Sequence, residues 1–403
     1  MMGMAQVLRT LSQAHMTILL LALPWIGVLV FLIFVVRVPS ELPEAGALGG
    51  ESAPSISVII PARNERSNIA NCIASLTRTD YPDFEIIVVD DRSEDDTAAI
   101  ARSVAVGQAR RILVMDGAEL PDGWLGKPWA CWQGVGAAAG EILLFTDADT
   151  THGSLLLRRA VAGLQEDGAD LLTVLGRQLM ESFWERLVQP QIFLTMMLRF
   201  PRVEALVQND DWRDAIANGQ FIMMPRASYD AIGGHEAVRG EVVEDMALAQ
   251  TVKRAGFKVR ARSAKQDFAT RMYRSLPDLI EGWSKNIVMG GLQSVPHAIR
   301  PIILPLSLVA GIGLWIAPPV LLVAAAFGFG GPLLRQWAGV AYLLGVVVFS
   351  LFTAVMKGPP AYGLLYPLGA AVGSFIFLRS WVRGRNVEWK GRKYTLRDIA
   401  EIP

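Results

Sequence analysis

Carboxylates stand directly behind two apolar runs of this 403-residue sequence and directly ahead of a third apolar pattern. Asp147 and Asp149 follow Ile142-Leu-Leu-Phe-Thr and lie one residue apart. Two aspartates so spaced offer oxygen ligands to a hard divalent cation, Mg2+ or Mn2+, which takes carboxylates together with substrate phosphates. A cation held there neutralises charge developing on a departing diphosphate. An Asp-x-Asp match alone arises by chance in many proteins; the run before it and Gly126-Lys127-Pro128 upstream give it weight. Lys127 stands near the start of a helix leading to Ala139, where a cation and free backbone N–H groups meet phosphate oxygens, unless it is merely a solvated lysine.

Asp90 and Asp91 close the run Glu85-Ile-Ile-Val-Val. Carboxylates at the end of a buried strand are costly without donors, and a nucleobase imide N–H or a ribose hydroxyl is such a donor. The plainer alternative is that Asp95 or Asp96 caps the next helix and the earlier pair turns the chain. Ile56-Ser-Val-Ile-Ile-Pro61-Ala62-Arg-Asn-Glu65 delivers polar side chains at the carboxyl end of another strand, the edge where open α/β sheets bind ligands. Ser67 or Asn68 reads as the cap of the helix after it. Glu244 and Asp245 open a helix whose apolar face continues through Leu248 and Val252. The helix dipole there favours an ionised carboxylate, which can take the proton from an attacking hydroxyl; acids in a first turn are also ordinary capping chemistry. Leu276, Leu279, Ile280 and Trp283 fall at helical spacing. Arg274, Trp283 and Lys285 around them either close over a diphosphate and shape an acceptor site, or anchor an amphipathic helix at a membrane surface.

The elements that must position these groups alternate as strand, helix, strand from residue 55 to 275, which implies a largely parallel α/β sheet. Hydrophobic residues make up 52% of the chain and the mean hydropathy is +0.34, an excess that is concentrated at the two ends. Thr17 to Val36 is free of charge for 20 residues, long enough as a helix to cross a bilayer; a cleaved signal peptide ending near Ala45-Gly-Ala47 is the competing reading. Residues 1–38 therefore read as a tail and membrane helix, 39–54 as a Pro- and Gly-rich linker, 276–300 as an amphipathic interfacial segment and 301–380 as a membrane region of two or three spans. Arg379, Arg383, Arg385, Lys390, Arg392, Lys393 and Arg397 make 381–403 and its approach a basic tail, the mark of a cytoplasmic side. If the tail and the polar domain share that side, an even number of crossings separates them. The stretch near 302–327, with Pro305 and Pro318-Pro319, is then the one to be re-entrant. A formal net charge of zero gives no support to nucleic acid as a partner. His15, His152, His235 and His297 have no mutual ligand spacing, and Cys72 and Cys131 read as reduced packing thiols.

Taken in order, Pro61-Ala-Arg-Asn-Glu, Val89-Asp-Asp-Arg-Ser-Glu-Asp-Asp-Thr, Gly126-Lys-Pro, Thr146-Asp-Ala-Asp, Glu244-Asp245 and Trp283-Ser-Lys-Asn resemble the family 2 glycosyltransferases over about residues 55–290. The whole chain, with its terminal spans and the Val387-Glu-Trp-Lys-Gly-Arg tail, is similar to the hopene-associated glycosyltransferases of bacteria and to carotenoid-acid glycosyltransferases. The resemblance implies a Rossmann-like GT-A fold and inverting transfer of a single sugar from a UDP-linked or similar nucleotide-sugar to a lipid acceptor, a hopanoid being the candidate. It also implies a multi-pass protein of the bacterial inner membrane with its catalytic domain in the cytoplasm. Pro61, Ala62, Glu65, Asp90 and Asp91 would bind the nucleoside, and Lys127 the phosphates. Asp147 and Asp149 would serve the metal and the ribose side, and Asp245, beside Glu244, would be the base. Processive members carry Gln-x-x-Arg-Trp, whereas this chain has Gly282-Trp-Ser-Lys285. The missing arginine argues against a polysaccharide synthase and leaves its task to Lys285, to Arg274 or to neither. An inactive donor-binding membrane scaffold is the alternative from outside the enzymes, and Asp149 with Asp245 argues against it.

Overall fold

The computed structural model describes residues 4–45, 53–293, 295–384, 386–390 and 392–395. The runs that read as strands are strands. β1 (Ile56–Ala62), β2 (Phe84–Asp90) and β4 (Ile142–Thr146) lie side by side in parallel, with β3 (Ile112–Asp116) outside β2. Ile56, Val58, Ile59 and Ile60 are buried on both faces of the sheet, which is why β1 is a continuous apolar run and does not alternate. Each such side chain contributes roughly 1.5–3 kcal/mol by leaving water. On the other side, β8 (Phe221–Pro225) runs antiparallel to β4 and to β6 (Leu171–Leu175), and β9 (Val259–Ser263) is parallel to β6. The order is β3-β2-β1-β4-β8-β6-β9, and a small second sheet joins β5 (Thr150–His152), β10 (Phe268–Thr270) and β7 (Arg177–Gln178).

Helices cover both faces: α2 (Ile69–Leu76), α3 (Thr97–Ser103), α4 (Gly126–Ala137), α5 (Leu156–Glu166), α7 (Val203–Gln208), α8 (Arg226–Ala231) and α9 (Glu244–Arg254). Between them, α6 (Phe183–Arg199) starts at a capping box, Ser182 with Glu185, and leads from the domain toward the apolar helices. Residues 39–45, read above as linker, are docked. Leu42 N–H donates to the Ser263 carbonyl at 2.9 Å, Ser263 N–H donates to the Ser40 carbonyl at 2.8 Å, and the Leu42 side chain enters the core. Burial of one leucine and two backbone bonds is enough to extend the sheet past β9, and proline content does not report it.

Among the described residues four helices are long and apolar enough to cross a membrane: His15–Phe34 within α1 (Met4–Phe34), Arg300–Ala326, Pro332–Val355 and Pro360–Arg383. The second comprises α11 (Arg300–Gly311), a π-helical stretch Ile312–Ile316 and α12 (Ala317–Ala326); the third is α13 (Pro332–Val355) and the fourth ends in α14 (Tyr366–Arg383). Trp25 Nε1 on α1 donates to the Leu314 carbonyl at 2.9 Å, and Trp337 Nε1 on α13 donates to the Leu21 carbonyl at 3.2 Å. α10 (Leu276–Gln293) joins the two parts of the molecule. Its Leu279 and Trp283 pack on Leu187, Val188 and Ile192 of α6 and on Ile376 of α14, while Glu281 accepts from Arg379 at 2.7 Å and from Arg383 at 2.5 Å. After α14 the chain forms an antiparallel hairpin, β11 (Asn386–Trp389) and β12 (Arg392–Thr395).

Candidate active site

The carboxyl ends of β1, β2 and β4 open on one side, and α4, α9 and α10 approach there. Lys127, in the first turn of α4, is the meeting point. Its ammonium lies 2.7 Å from Asp147 Oδ1 and 2.8 Å from Glu244 Oε1. Burial alone would lower the Lys127 pKa, but the negative charges of Asp147, Glu244 and Asp245 outweigh it and hold the ammonium well above its ordinary value. Burial would likewise raise Glu244; Lys127 and Lys285 reverse the effect and keep it ionised below the usual range. Residues from three distant segments thus form one charge cluster.

Asp245 accepts from Gly219 N–H through Oδ2 at 2.7 Å and from Met246 N–H through Oδ1 at 2.8 Å. Burial and the neighbouring Glu244 push its pKa up to about 6, a value suited to a base working near neutral pH. Gly219 escapes a search for reactive side chains because its contribution is the lack of one. A methyl group there would stand 2.9 Å from Asp245 Oδ2 and 3.0 Å from Lys127 Nζ.

Asp149 is the second focus. Its Oδ1 is buried and has no hydrogen-bond partner among the described residues, and burial together with Asp147 and Glu65 drives its pKa well above normal. An orphaned carboxylate oxygen of this kind fits a cation. Among the described residues no group of three His, Cys, Asp or Glu could hold a metal ion. Asp149 and Asp147 would therefore share the cation with substrate phosphates, as Mg2+ and Mn2+ chemistry allows. Tyr273, absent from the residues singled out by sequence, lies close enough to this pair that their charge, after burial, raises its hydroxyl pKa. Gly282 permits the packing, because a methyl group there would come 2.3 Å from the Tyr273 ring. Behind the pair, buried Cys72 contacts the Asp147 carbonyl at 3.5 Å, and burial pushes its thiol up to about 12, as suits a packing residue.

The residues expected at the nucleoside sit at the ends of β1 and β2. Pro61 and Ala62 face Val89 and Asp90 in register, and Asp91 N–H donates to the Ala62 carbonyl at 2.7 Å. Asp90 Oδ2 accepts from Ser93 N–H at 3.1 Å, while its Oδ1 is buried and unpartnered. Asp91 already holds Arg392 Nη1 at 2.9 and 3.1 Å, and Glu65 holds Lys390 Nζ at 2.7 Å. Asp95 accepts from Thr97 N–H at 3.0 Å beside the start of α3, whereas Asp96, at the N-cap, makes no side-chain capping bond. Asn68 occupies the N-cap of α2 without capping it. Its side chain donates to Glu65 at 2.8 Å and accepts from Arg274 at 2.7 Å, two charged partners that win over a backbone N–H.

Lys285, Arg274 and Trp283 separate in space. The ammonium of Lys285 is close to the cluster: burial lowers its pKa, and Glu244, Asp147 and Asp245 act on it against Lys127. Arg274 lines a polar cleft of about 250 Å³ with Asn68, Asn71, Asp149, Thr151 and Arg271. Trp283 is buried against Phe193 and Tyr273, so it neither projects into the cleft nor anchors at an exposed surface.

A mostly parallel sheet with an aspartate pair and a neighbouring acid at its carboxyl edge is a GT-A-like α/β fold, and the sequence comparisons place the chain among glycosyltransferases. Residues 57–233 match the model of glycosyl transferase family 2, and the chain carries a domain of that family. It is similar to 4,4'-diaponeurosporenoate glycosyltransferase of Staphylococcus aureus strain MRSA252, with 29% identity over 359 residues, 85% of this chain and 88% of that protein. The protein of the same name in strain USA300 is 28% identical over 355 residues, with the same coverage. Among solved structures, the mannosyltransferase PcManGT from Pyrobaculum calidifontis in complex with GDP-Man and Mn2+ superposes with a TM-score of 0.51 at 18% identity. The match covers 93% of this chain and 96% of that one, a likeness of fold.

Proposed function

We propose that this protein is a metal-dependent, inverting glycosyltransferase that moves one sugar from a nucleotide-sugar to a lipid acceptor at the cytoplasmic face of a membrane. The observation that carries the reading is Lys127, whose ammonium bridges Asp147 of the donor pair and Glu244 beside Asp245. In this reading Pro61, Ala62, Glu65, Asp90 and Asp91 surround the nucleoside, Lys127 meets the diphosphate, and Asp147 and Asp149 hold Mg2+ or Mn2+. The cation, when bound, neutralises charge on the leaving diphosphate. Asp245, aimed by the Gly219 and Met246 amides, takes the proton of the acceptor hydroxyl. The freed oxygen bonds to the anomeric carbon from the face opposite the diphosphate, the carbon–oxygen bond to phosphate breaks, and the configuration inverts. Lys285 faces the same charges and takes over the task of the absent arginine.

Two features support a lipid acceptor in a membrane. The relatives named for diaponeurosporenoate glycosylation act on a carotenoid acid, and the apolar helices pack directly on α6 and α10 of the domain. A lipid held among such helices reaches the site with its headgroup oriented. The tail contacts at Asp91 and Glu65 support a shared side for tail and domain, hence an even number of crossings between them. In this reading Arg300–Ala326, with Pro305, Pro318 and Pro319, is the stretch assigned as not crossing, although it runs as one helix through its π-helical residues. The acceptor is read as a hopanoid from the resemblance of the whole chain. Lipid mass profiles of cells with and without the gene test this, a sugar-sized mass shift naming sugar and lipid together. Purified protein that releases no nucleoside diphosphate from any sugar donor, with Mn2+ and membrane lipid extract, would defeat the reading.

A further inference from the structure

We propose that the hairpin of β11 and β12 is a wall of the donor site and that Lys390 at its tip binds the donor's diphosphate. This rests on the reading of the protein as a nucleotide-sugar glycosyltransferase and assigns a donor contact outside the matched domain. Trp389 pairs with Arg392, so Lys390 stands at the hairpin's tip. Lys390 has φ +49°, the left-handed conformation that such hairpin turns need and that lysine adopts less readily than glycine or asparagine. From there Nζ reaches Glu65 Oε1 at 2.7 Å and the Asn64 carbonyl at 3.2 Å. An ammonium carries three N–H donors; two are engaged among the described residues, and the third is assigned to a phosphate oxygen.

Position and charge favour that use. Lys390 Nζ lies on Glu65 and the Asn64 carbonyl, just past the carboxyl end of β1 where the nucleoside is placed. A diphosphate joining nucleoside to sugar passes through this space. Glu65, Asp90, Asp91, Asp147 and Asp149 make the same space acidic, and an anionic donor needs compensating cations to enter it. Arg392 fixes the hairpin on Asp91, whose side chain is 3% exposed.

The anchoring favours a wall that stays over a plug that leaves. Arg63, buried at the end of β1, donates Nε to the Lys390 carbonyl at 3.1 Å and Nη1 to the carbonyls of Asp91 and Arg92 at 2.7 Å each. This backbone tie does not involve Glu65 or the Lys390 ammonium, so a donor can engage Nζ without displacing the hairpin. Asp90 Oδ1, buried and without a hydrogen-bond partner among the described residues, keeps an acceptor for the base.

The test uses the full chain in lipid nanodiscs, titrated calorimetrically with UDP, GDP and dTDP in Mn2+. Lys390→Ala is expected to weaken nucleotide binding about tenfold, in line with loss of one hydrogen bond to a charged group, and Lys390→Arg to stay within about threefold of wild type. Hydrogen exchange of wild-type residues 386–395 needs no variant and is expected to slow when the nucleotide binds. Equal or tighter binding by Lys390→Ala, or faster exchange of the hairpin with nucleotide, overturns the proposal. Wild-type protein that binds none of the three nucleotides strikes instead at the glycosyltransferase reading beneath it.

Discussion

Replacing Gly219 by alanine adds one methyl group at the point where base and phosphate-binding lysine come closest. The new carbon would lie 2.9 Å from Asp245 Oδ2, 3.0 Å from Lys127 Nζ and 3.2 Å from Asp245 Cβ. Ordinary carbon contacts begin near 3.5 Å, so the carboxylate must retreat by roughly half an ångström. It cannot retreat freely, because Met246 N–H holds its other oxygen at 2.8 Å. The Lys127 ammonium, at the end of a flexible stem, can move. A misplacement of about 1 Å costs on the order of a hundredfold in rate, so kcat/KM is expected to fall between about tenfold and a hundredfold, equivalent to roughly 1.4–2.7 kcal/mol. The bond from Gly219 N–H favours the ionised carboxylate, so its loss should also move the rising limb of the pH–rate profile to higher pH. Nucleoside diphosphate release measures the rate, and calorimetric titration should show donor affinity changed far less. Wild-type rate and an unshifted profile in a variant that melts normally would refute this geometry.

Asp245→Asn should leave donor binding nearly intact and stop transfer. In the wild type the rate should rise with pH through about 6, because the base works only when deprotonated. Asp149→Ala should abolish the Mn2+-dependent part of donor affinity, read by titration with and without chelator, while leaving the melting temperature unchanged or raised, since a destabilised buried carboxyl is removed. Arg271→Met should destabilise the fold by about 3 kcal/mol, because sealed Glu185 would lose its cation. Burial raises the Glu185 pKa, but Arg271 and the Ser182 bonds bring it below the usual range. Its stabilisation is therefore present at neutral pH and lost as pH falls through that lowered value, and thermal melts across the acid range should show wild type approaching the variant.

What could be read in advance follows from how far each signal travels along the chain. β1, β2 and β4 are continuous apolar runs because both faces are covered, and the acids behind them necessarily emerge at one sheet edge. Parallel strands carry that information locally. Asn68 looked like a cap because caps are local too, and it was drawn away by Arg274, which reaches it only through the fold. Trp283 fell correctly on a helix, yet helical spacing does not say which neighbours cover the face; α6 and α14 cover it. Residues 39–45 dock through backbone bonds and Leu42, a signal no composition rule registers. The hairpin contacts at Asp91 and Glu65 join opposite ends of the chain, and a basic tail reads equally well as a topology signal.

The charge around Asp245 also bears on the class of acceptor. Lys127 keeps Glu244 ionised, and Asp245 beside it titrates at about 6, so at neutral pH the acceptor meets two adjacent carboxylates. A carboxylate acceptor is ionised before it arrives. It needs no base, and it would approach both charges with only partial relief from Lys127 and Lys285. A hydroxyl meets no such repulsion, donates a hydrogen bond to Asp245 as it binds, and requires a base at the moment of attack because its oxygen is a weak nucleophile while protonated. The arrangement therefore favours a hydroxyl-bearing lipid over a free acid such as the one that names the staphylococcal relatives. Asp245→Asn separates the two cases: transfer to a hydroxyl should collapse, whereas transfer to a carboxylate should persist or improve once the repulsion is gone. Retained activity in that variant would put an acid in the acceptor site and reduce Asp245 to a structural partner of Gly219.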